Sequence, residues 1–524
     1  MLRFYHRFIP TIFTAILSLH FAGCTPSSEK PNILLIMADD MGYSDLGCYG
    51  SEIDTPNIDR LANEGLRFTQ FYNAARCCPT RASLLTGLYP HQAGMGGMVV
   101  SQPGQRPEGP YQGYLNENCV TIAEVLKPAG YVTLMSGKWH VGEFRPVWPV
   151  DRGFDRYYGL ISGAANYFNV TRTKNPNVVR TMAKDDRELP LPTENFYMTD
   201  AITDHAVKML QEYKDESFFH YVAYTAPHWP LHALPEDIQK YKGRFDEGWD
   251  VMREKRYKRM IEMGLIQPEW PLSPRDTEAM AWEDVEDKEL MSLKMAIYAA
   301  QIDRMDQGIG KILKTLQDQD RLDNTLVIFL SDNGACHESG PLGRDFWGNG
   351  VTPGGADSYQ SYGRSWSNAG NTPFRLHKHW VHEGGISTPL IVRWPKTIKE
   401  AGGITHQPGH IIDLLATFVD VAGVAYPSTF QGKSIQPMQG NSLLPIFKDG
   451  KREPHPFLFW EHEGNKAVRH HNWKLVARKG GDWELYDLEK DRSETNDLLK
   501  EKPEIVEELK EEWTNWARRV GVRF

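Results

Sequence analysis

Short apolar stretches that run directly into polar residues constrain the fold of this chain more than any other feature. They are rich in β-branched or aromatic side chains, as is typical of strands buried on both faces of a sheet. The four stretches are residues 32–37 before Asp39 and Asp40, residues 131–135 before Lys138 and His140, residues 218–224 before His228, and residues 326–330 before Asp332 and Asn333. A fifth, residues 389–394, follows Glu383, Gly384 and Gly385.

Helical patterns lie between these stretches. In residues 291–316, Ile297, Ile302, Met305 and Ile309 recur at near-helical spacing. Strands that alternate with helices predict an α/β fold, with a large, mostly parallel sheet flanked by helices on both faces. Ligands of such sheets bind beyond the carboxyl ends of the strands. We therefore expect the polar residues that adjoin the strands to share one edge of the sheet.

Two of these polar groups have the composition of a metal site. Asp39 and Asp40 follow one strand, and Asp332 and Asn333 follow another. Carboxylate and amide oxygens without a cluster of thiolates favour a hard cation such as calcium or magnesium. Each pair alone is also typical of turns at strand ends. Two acidic clusters at equivalent strand ends would repel each other unless a cation lay between them, which favours the metal site.

Five positively charged or imidazole side chains are predicted at the same edge. They are Arg81, Lys138, His140, His228 and Lys378. Taken singly, a lysine is usually solvated and a histidine is more often structural than catalytic. Together with a metal ion they describe a pocket for a tetrahedral oxyanion, and phosphate and sulfate esters are the natural candidates.

The stretch RCCPTRASLLTG, residues 76–87, places two cysteines side by side. Adjacent cysteines bridge poorly to each other, so a disulfide is not expected here. Pro79 suits the first turn of a helix and Gly87 its end, which places Cys77 at the helix N-terminus, where negative charge is favoured. Arg81 follows on the same helical face. These features alone predict an activated thiolate at Cys77.

Composition excludes some classes of protein. The chain has 524 residues, 40% of them hydrophobic and 24% charged, which predicts a large core and one large domain with an appendage. The net charge of -9 gives no basic surface for nucleic acid, and any anionic substrate must be bound by locally placed cations. Six cysteines are too few for a disulfide scaffold in a chain of this length.

Residues 1–24 are predicted to be a lipoprotein-type signal peptide. A basic start precedes the apolar residues 8–21, which are too few to span a bilayer. Phe21, Ala22, Gly23 and Cys24 resemble the bacterial lipoprotein cleavage box, in which the cysteine is lipidated; an ordinary cleaved signal is the alternative. Residues 25–30 would form a tether. We expect an exported protein in the periplasm or at the cell surface, anchored through Cys24 to a bacterial membrane.

The mature chain is predicted to contain two parts. Residues 31–440 form the catalytic domain, with a charged, tryptophan-rich insertion at about residues 241–287 that contains some helix and frames the site. Residues 441–524 form a smaller α+β subdomain. Its predicted elements are strands at residues 457–460, 473–477 and 483–488 and a helix at residues 504–518.

The motif Cys77-x-Pro79-x-Arg81-x-x-Leu84-Leu85-Thr86-Gly87 resembles the signature of type I sulfatases, in the alkaline-phosphatase-like superfamily. In that family the first cysteine of the motif is converted to formylglycine after translation. The resemblance extends to residues 32–42, 137–140, 331–334, 371–375, 383–385 and 485–488 and to Lys378. The insertion is similar to that of bacterial arylsulfatases of the Pseudomonas kind.

The resemblance implies an alkaline-phosphatase-like fold and the hydrolysis of aryl or carbohydrate sulfate monoesters. It implies a cation, calcium rather than magnesium, held by Asp39, Asp40, Asp332, Asn333 and a formylglycine gem-diol at Cys77. This gem-diol would also be the nucleophile that attacks sulfur. Arg81 would orient the diol, and Asp332 would take the proton of its attacking hydroxyl. The resemblance also implies that Lys138, His228 and Lys378 bind the sulfate oxygens. His228 or Lys378 would protonate the departing alcohol. His140 would remove the second hydroxyl's proton, and a formylglycine-generating maturation enzyme would be a partner.

Two other functions stay open from the sequence. Related enzymes on the same fold hydrolyse phosphonate or phosphate monoesters with the same metal and modified residue. A surface lipoprotein that binds sulfated glycans without cleaving them is the other alternative, if Cys77 is not oxidised.

Overall fold

The computed structural model describes residues 1–4 and 30–524. The predicted signal peptide, Cys24 and nearly all of the predicted tether therefore lie outside the described residues. Residues 1–30 and Pro31–Phe524 are separate units, and the second is described here. Within the described ranges, no helix combines the length and the apolar character needed to cross a bilayer.

Seventeen strands and twelve α-helices are described. The strands are β1 (Asn32–Ala38), β2 (Leu66–Tyr72), β3 (Val132–Gly137), β4 (Arg156–Leu160), β5 (Met182–Lys184), β6 (Arg187–Glu188), β7 (Phe218–Ala223), β8 (Thr325–Ser331), β9 (Ser387–Arg393), β10 (Gly403–Thr405), β11 (Gly409–His410), β12 (Thr429–Phe430), β13 (Lys433–Ser434), β14 (Leu458–His462), β15 (Asn465–His470), β16 (Trp473–Ala477) and β17 (Trp483–Asp487). The helices are α1 (Pro56–Asn63), α2 (Cys77–Thr86), α3 (Ile122–Leu126), α4 (Met198–Glu212), α5 (Pro235–Tyr241), α6 (Gly248–Glu262), α7 (Lys288–Asp318), α8 (Gly363–Gly370), α9 (Glu383–Ile386), α10 (Asp413–Ala422), α11 (Leu444–Asp449) and α12 (Pro503–Val520).

The core of the fold is an 11-stranded mixed sheet. Its strand order is β10-β2-β9-β8-β1-β7-β3-β4-β5-β6, with β11 also paired to β2. Within the central run β8-β1-β7-β3-β4, each strand is parallel to the next. The α/β fold with a mostly parallel sheet, predicted from the sequence, is therefore confirmed.

Strand β9 runs against the direction of the central strands. It pairs antiparallel with both β8 and β2, for example Leu390 with Leu330 and with Phe68. Its amino end therefore lies at the edge where β1, β3, β7 and β8 have their carboxyl ends. For this reason the polar segment that precedes β9, including Lys378 and Glu383, reaches the same edge as the segments that follow the other strands.

Both faces of the sheet are covered, as the side-chain alternation of a strand requires. On β1, Leu34 and Ile36 pack in one apolar cluster with residues of α1, α4 and α7, whereas Ile33, Leu35 and Met37 pack in another with residues of α2, α3 and α10. These β1 side chains are fully buried. The continuous apolar sequence of β1 follows from this burial on both sides.

The C-terminal part contains a second, antiparallel sheet of four strands in the order β14-β15-β16-β17, covered by α12. The predicted smaller α+β part is therefore present, and three of its strands and its helix were predicted. The sequence analysis did not identify β15 in this sheet or β2 in the large sheet. The exact domain boundaries stay predictions.

The predicted insertion does contain helix. It includes α6 and a 3-10 turn at Trp282–Asp284. Arg256 of α6 is buried and donates to Asp45 Oδ1 at 2.6 Å and to Glu52 Oε1 at 2.7 Å. The insertion is thereby fixed to the segment that follows Asp39 and Asp40.

Candidate active site

The two acidic segments meet at the carboxyl ends of adjacent parallel strands. Ala38 of β1 is in register with Ser331 of β8, so Asp39 and Asp40 lie beside Asp332 and Asn333. The backbone N–H of Asp40 donates to Asp332 Oδ1 at 3.1 Å, and Asn333 Nδ2 donates to Asp40 Oδ1 at 2.8 Å. All four side chains are buried. The structure therefore brings the four predicted metal ligands together.

Two oxygens in this cluster have no hydrogen-bond partner among the described residues. They are Asp39 Oδ1 and Asn333 Oδ1, and both are buried. A buried polar atom without a partner costs free energy, so its presence calls for an explanation such as a bound ion. Carboxylate and amide oxygens are the donors that calcium prefers. The residues at this site therefore fit a hard divalent cation.

A lysine or arginine side chain contacts the Oδ2 atom of each of the three carboxylates. Lys138 Nζ lies 2.6 Å from Asp39 Oδ2, Lys378 Nζ lies 2.7 Å from Asp40 Oδ2, and Arg81 Nη2 lies 2.7 Å from Asp332 Oδ2. These lysines and the arginine are at most 2% exposed. Such pairs need excellent geometry to offset the cost of burying charge. The prediction that cations and acidic groups share one edge is confirmed.

Local structure fixes each cation in place. Lys138 directly follows β3, and Arg81 lies inside α2 with its Nη1 donating to the carbonyl of Lys138 at 3.1 Å. The backbone N–H of Lys378 donates to the carbonyl of Ala335 at 3.2 Å. Asn371 stabilises this approach, since its Oδ1 accepts from Ala335 N at 2.8 Å and its Nδ2 donates to Leu376 O at 3.0 Å.

Cys77 is the first residue of α2, as predicted, and Gly87 ends the helix in the left-handed region with φ 65°. A hydrogen bond with Cys78 lowers the pKa of the Cys77 thiol well below its usual value; burial opposes this shift, while Lys138 and His140 add to it. A lowered pKa is what the prediction of an activated thiolate requires. The Cys77, Cys78 and His140 side chains lie with their ligand atoms within 4.8 Å of one another.

Two histidines complete the site, and burial lowers the pKa of each to about 4. His228 lies with Nε2 3.3 Å from Asp40 Oδ2 and Nδ1 2.5 Å from the carbonyl of Trp229. His140 adopts φ 58° and its Nδ1 has no partner among the described residues. Without a bound anion both rings are therefore neutral at pH 7, whereas an anion bound beside His228 would favour the protonated, donating form of that ring.

The acidic cluster itself has perturbed pKa values. Burial, followed by the neighbouring Asp39, raises the pKa of Asp332 to about 8, even though Arg81 opposes the shift. Burial also raises the pKa of Asp39, against Lys138 and Arg81. A divalent cation among these oxygens would favour their ionised forms. The raised pKa values of Asp39 and Asp332 therefore agree with the oxygen donors in favouring a divalent cation at this site.

The structure adds residues that the sequence analysis did not single out. Arg76 Nη2 pairs with Glu338 Oε1 at 3.1 Å directly beside Cys77, and Tyr221 OH lies 3.4 Å from Arg81 Nη1. Gly163 lies against His140, since a Cβ placed on it would be 2.3 Å from His140 Nε2. Arg76 is part of the motif at residues 76–87, so its position was a usable signal. Nothing in the sequence pattern marks Glu338 or Gly163.

Comparisons with known proteins agree with this geometry. The family model described as "Sulfatase" matches residues 31–424, and that of the C-terminal part of N-sulphoglucosamine sulphohydrolase matches residues 374–519. An uncharacterized sulfatase of Schizosaccharomyces pombe is 37% identical, with 94% of this chain and 95% of the relative covered. An arylsulfatase of Klebsiella aerogenes is 34% identical, with 82% and 96% covered.

Among solved structures, Ps i-CgsB in complex with k-i-k-neocarrahexaose is similar to this chain. The two share 27% identity and a TM-score of 0.69, and 93% of each chain is covered. Residues 31–424, matched by the sulfatase family model, contain all of the converging residues described above. The chain therefore belongs to the sulfatase family and is a sulfuric ester hydrolase on the alkaline-phosphatase-like fold.

Proposed function

We propose that this chain hydrolyses sulfate monoesters with a formylglycine made from Cys77 and a calcium ion held by that residue together with Asp39, Asp40, Asp332 and Asn333. The observation that carries the proposal is the pair of unpartnered buried oxygens, Asp39 Oδ1 and Asn333 Oδ1, in a cluster that interacts electrostatically with Cys77. When bound, the cation would lower the pKa of a coordinated hydroxyl and make it a nucleophile at neutral pH.

The buried cations of the site are suited to bind the sulfate group. Lys138 and Lys378 each donate to one carboxylate, and an ammonium group has further N–H donors. Charge-assisted hydrogen bonds from these donors and from His228 would hold the sulfate oxygens and stabilise the charge that develops on them. Their low exposure strengthens these interactions, because water screens them little.

Proton transfers fall to the groups around position 77. Asp332 is held by Arg81 through Nε at 3.1 Å and Nη2 at 2.7 Å, so its carboxylate is oriented to accept a proton there. His228 or Lys378 would protonate the departing alcohol. His140, neutral because burial lowers its pKa to about 4, would accept a proton from the side chain at position 77 when sulfate is released.

The substrate of this chain is proposed to be an aryl sulfate or a sulfated carbohydrate. A relative at 34% identity is called an arylsulfatase, and the structurally similar Ps i-CgsB was solved with k-i-k-neocarrahexaose. Export and lipidation at Cys24 are part of the same proposal, as is activation by a formylglycine-generating enzyme. The support for export is the basic and apolar start of the chain.

The test is mass spectrometry of the Cys77 peptide from protein made in its host, together with initial rates. We expect formylglycine at position 77 and turnover of 4-nitrophenyl sulfate that exceeds turnover of the matched phosphate ester. Cys77→Ala should abolish the activity. Cys48→Ala is the matched control, because Cys48 is another buried thiol whose neighbours are Asp59 and Arg67.

Three outcomes would contradict the proposal. An unmodified thiol throughout the host protein would favour a sulfated-glycan-binding protein that does not cleave its ligand. Faster turnover of the phosphate or phosphonate ester would favour the related monoesterases. Activity retained in Cys77→Ala would remove position 77 from the reaction.

A further inference from the structure

We propose that a rim of aromatic rings and unpaired cations beside His228 binds a second anionic group of the substrate, on a sugar ring next to the sulfate that is hydrolysed. The aromatic rim consists of Trp229, Phe346, Trp347, Lys174 and Arg344. The inference rests on the proposed sulfatase activity and adds a substrate class, a saccharide that carries at least two sulfate or carboxylate groups.

The aromatic rim adjoins the sulfate-binding residues. Trp229 follows His228 directly, and their rings lie 5.3 Å apart. Trp229 Nε1 donates to Glu338 Oε2 at 3.2 Å, and Glu338 Oε1 accepts from Arg76 at 3.1 Å, next to Cys77 in the chain. The Trp229 ring is thus connected to His228 and, through Glu338, to the residue that precedes Cys77, so a substrate group bound to this rim would lie beside the reacting ester.

The rings form a fixed surface. Trp229 and Phe346 are stacked with centroids 4.6 Å apart at 12°, and Tyr359 packs edge-on against both. Trp347 packs against Tyr359 at 5.2 Å. Trp229, Phe346 and Trp347 are partly exposed rather than buried. Aromatic rings with an apolar body and an accessible edge are suited to contact the C–H face of a sugar ring.

Two cations on this surface lack acidic partners. Lys174 Nζ lies 5.9 Å from the Trp229 centroid and 5.2 Å from that of Phe346, and the Arg344 guanidinium lies 5.6 Å from the Phe346 centroid. Both side chains are exposed, and within residues 30–524 neither has a carboxylate at ion-pair distance. By contrast, the neighbouring Arg172 pairs with Asp357. Lys174 and Arg344 are therefore available to an external anion.

Two of the loops that carry the aromatic rim, residues 161–181 with Lys174 and residues 332–362 with Arg344, are tied to each other. Trp347 Nε1 donates to the carbonyl of Thr173 at 3.0 Å, and Asn166 Nδ2 donates to the carbonyl of Ala356 at 3.0 Å. The first loop also begins against the site, where Gly163 contacts His140. Hydrogen bonds of this kind reduce the conformational entropy lost on ligand binding, because the cations and rings are already positioned.

The charge of the chain makes local cations necessary for such a ligand. The net charge is -9, so a polyanionic saccharide is repelled on average and needs specific positive groups. A simple aryl sulfate has one anionic group, which the buried lysines and His228 already bind. The unpaired cations of the aromatic rim therefore favour a substrate with a second anion over a monosulfated aryl ester.

The test compares kcat/KM for a disulfated saccharide and its monosulfated counterpart, using the mature full-length enzyme with formylglycine confirmed. We expect the wild type to prefer the disulfated compound. In the double variant Lys174→Ala/Arg344→Ala the ratio of the two kcat/KM values should fall about tenfold, the effect expected from losing a hydrogen bond to a charged group. Lys311→Ala is the control, an exposed lysine of α7, and should keep the wild-type ratio.

Failure of this inference differs from failure of the proposed function. An unchanged ratio in the double variant, or no preference in the wild type, would overturn the role of the aromatic rim while leaving sulfatase activity intact. If the modified enzyme hydrolyses neither compound, the proposed function fails, and titration calorimetry with the disulfated saccharide decides the role of the rim. Weaker binding by the double variant would support the rim, and equal binding would refute it.

Discussion

Replacing Lys474 with methionine tests how the C-terminal sheet is held against the large sheet. Lys474 lies on β16 and is fully buried. Its Nζ lies 2.9 Å from Oε1 of Glu383, the first residue of α9, and 2.8 Å from Oε1 of Glu494. Arg492 Nε completes the cluster at 2.9 Å from Glu383 Oε2. The charges of two carboxylates and two cations therefore compensate each other in a buried cluster that water does not reach.

The expected destabilisation follows from this balance. Methionine has a similar volume but no charge, so the variant leaves two buried carboxylates with one cation. Removing one partner of a buried ion pair costs about 3–5 kcal/mol. Unfolding entropy of about 2 cal/mol/K per residue amounts to roughly 1 kcal/mol/K for a unit the size of Pro31–Phe524. The midpoint of thermal unfolding should therefore fall by about 3–5 °C.

The effect should depend on pH. Burial acts to raise the pKa of Glu383, but Lys474 and Arg492 outweigh it and lower the pKa to about 2 from an ordinary value of 4.5. A carboxyl with a lowered pKa stabilises the fold above its unfolded pKa, and this stability is lost as the pH falls from about 4.5 to about 2. The shift corresponds to about 3 kcal/mol. The difference between wild type and Lys474→Met should therefore narrow across this range.

The assay is thermal unfolding followed by circular dichroism at pH 7 and at pH 3. Lys479→Met is the matched control, since Lys479 is an exposed lysine just beyond the same strand, and its midpoint should stay close to that of the wild type. A Lys474→Met midpoint within 1 °C of wild type at pH 7 would refute the reasoning. So would a difference that stays constant between the two pH values.

Two further predictions concern the active site. Calcium at about a hundredfold excess over its Kd should stabilise the mature wild type against unfolding by about 2.7 kcal/mol, and EDTA should reverse this stabilisation. Asn333→Ala should lose most of the response, whereas the control Asn57→Ala should keep it. Equal responses of the two variants in unfolding assays would remove Asn333 from the metal site. Gly163→Ala places a Cβ 2.3 Å from His140 Nε2 and should lower kcat with little change in the midpoint of thermal unfolding. The control Gly355→Ala adds a Cβ in open space and should leave kcat unchanged. A wild-type kcat in Gly163→Ala would show that the position of His140 is not critical.

The central strands could be predicted because burial on both faces removes polar residues from them. Strands β1, β7 and β8 are entirely buried, and their interiors are apolar except for His220 of β7, which is hydrogen-bonded to Ser136. Each strand is followed closely by polar residues. Strand β2, with the sequence LRFTQFY, has partly exposed positions among buried ones. Strand β15, NKAVRH, contains only two apolar residues, because its other side chains are partly exposed or make hydrogen bonds, as Arg469 does to Tyr72 OH and Gln70 Oε1. Neither strand has a pattern that distinguishes it from a loop.

The direction of β9 could not be predicted from its sequence. The sequence STPLIVR is buried along its whole length, as a parallel strand would be, yet β9 is antiparallel to both neighbours. The direction of a strand depends on the edge of the sheet from which the preceding segment enters. The side chains of the strand itself do not determine this edge. The consequence is functional, because only the antiparallel direction brings Lys378 to within 2.7 Å of Asp40.

The site residues were predictable as a group, but not their pairing. Strand ends indicated which residues share an edge, and the structure then assigns Lys138 to Asp39, Lys378 to Asp40 and Arg81 to Asp332. This pairing leaves one oxygen of Asp39 and one of Asn333 without a hydrogen-bond partner within residues 30–524. A chain that satisfied these two oxygens internally would gain stability but would have fewer donors for a cation. The unsatisfied oxygens therefore favour a site selected for binding an ion over one selected for packing alone.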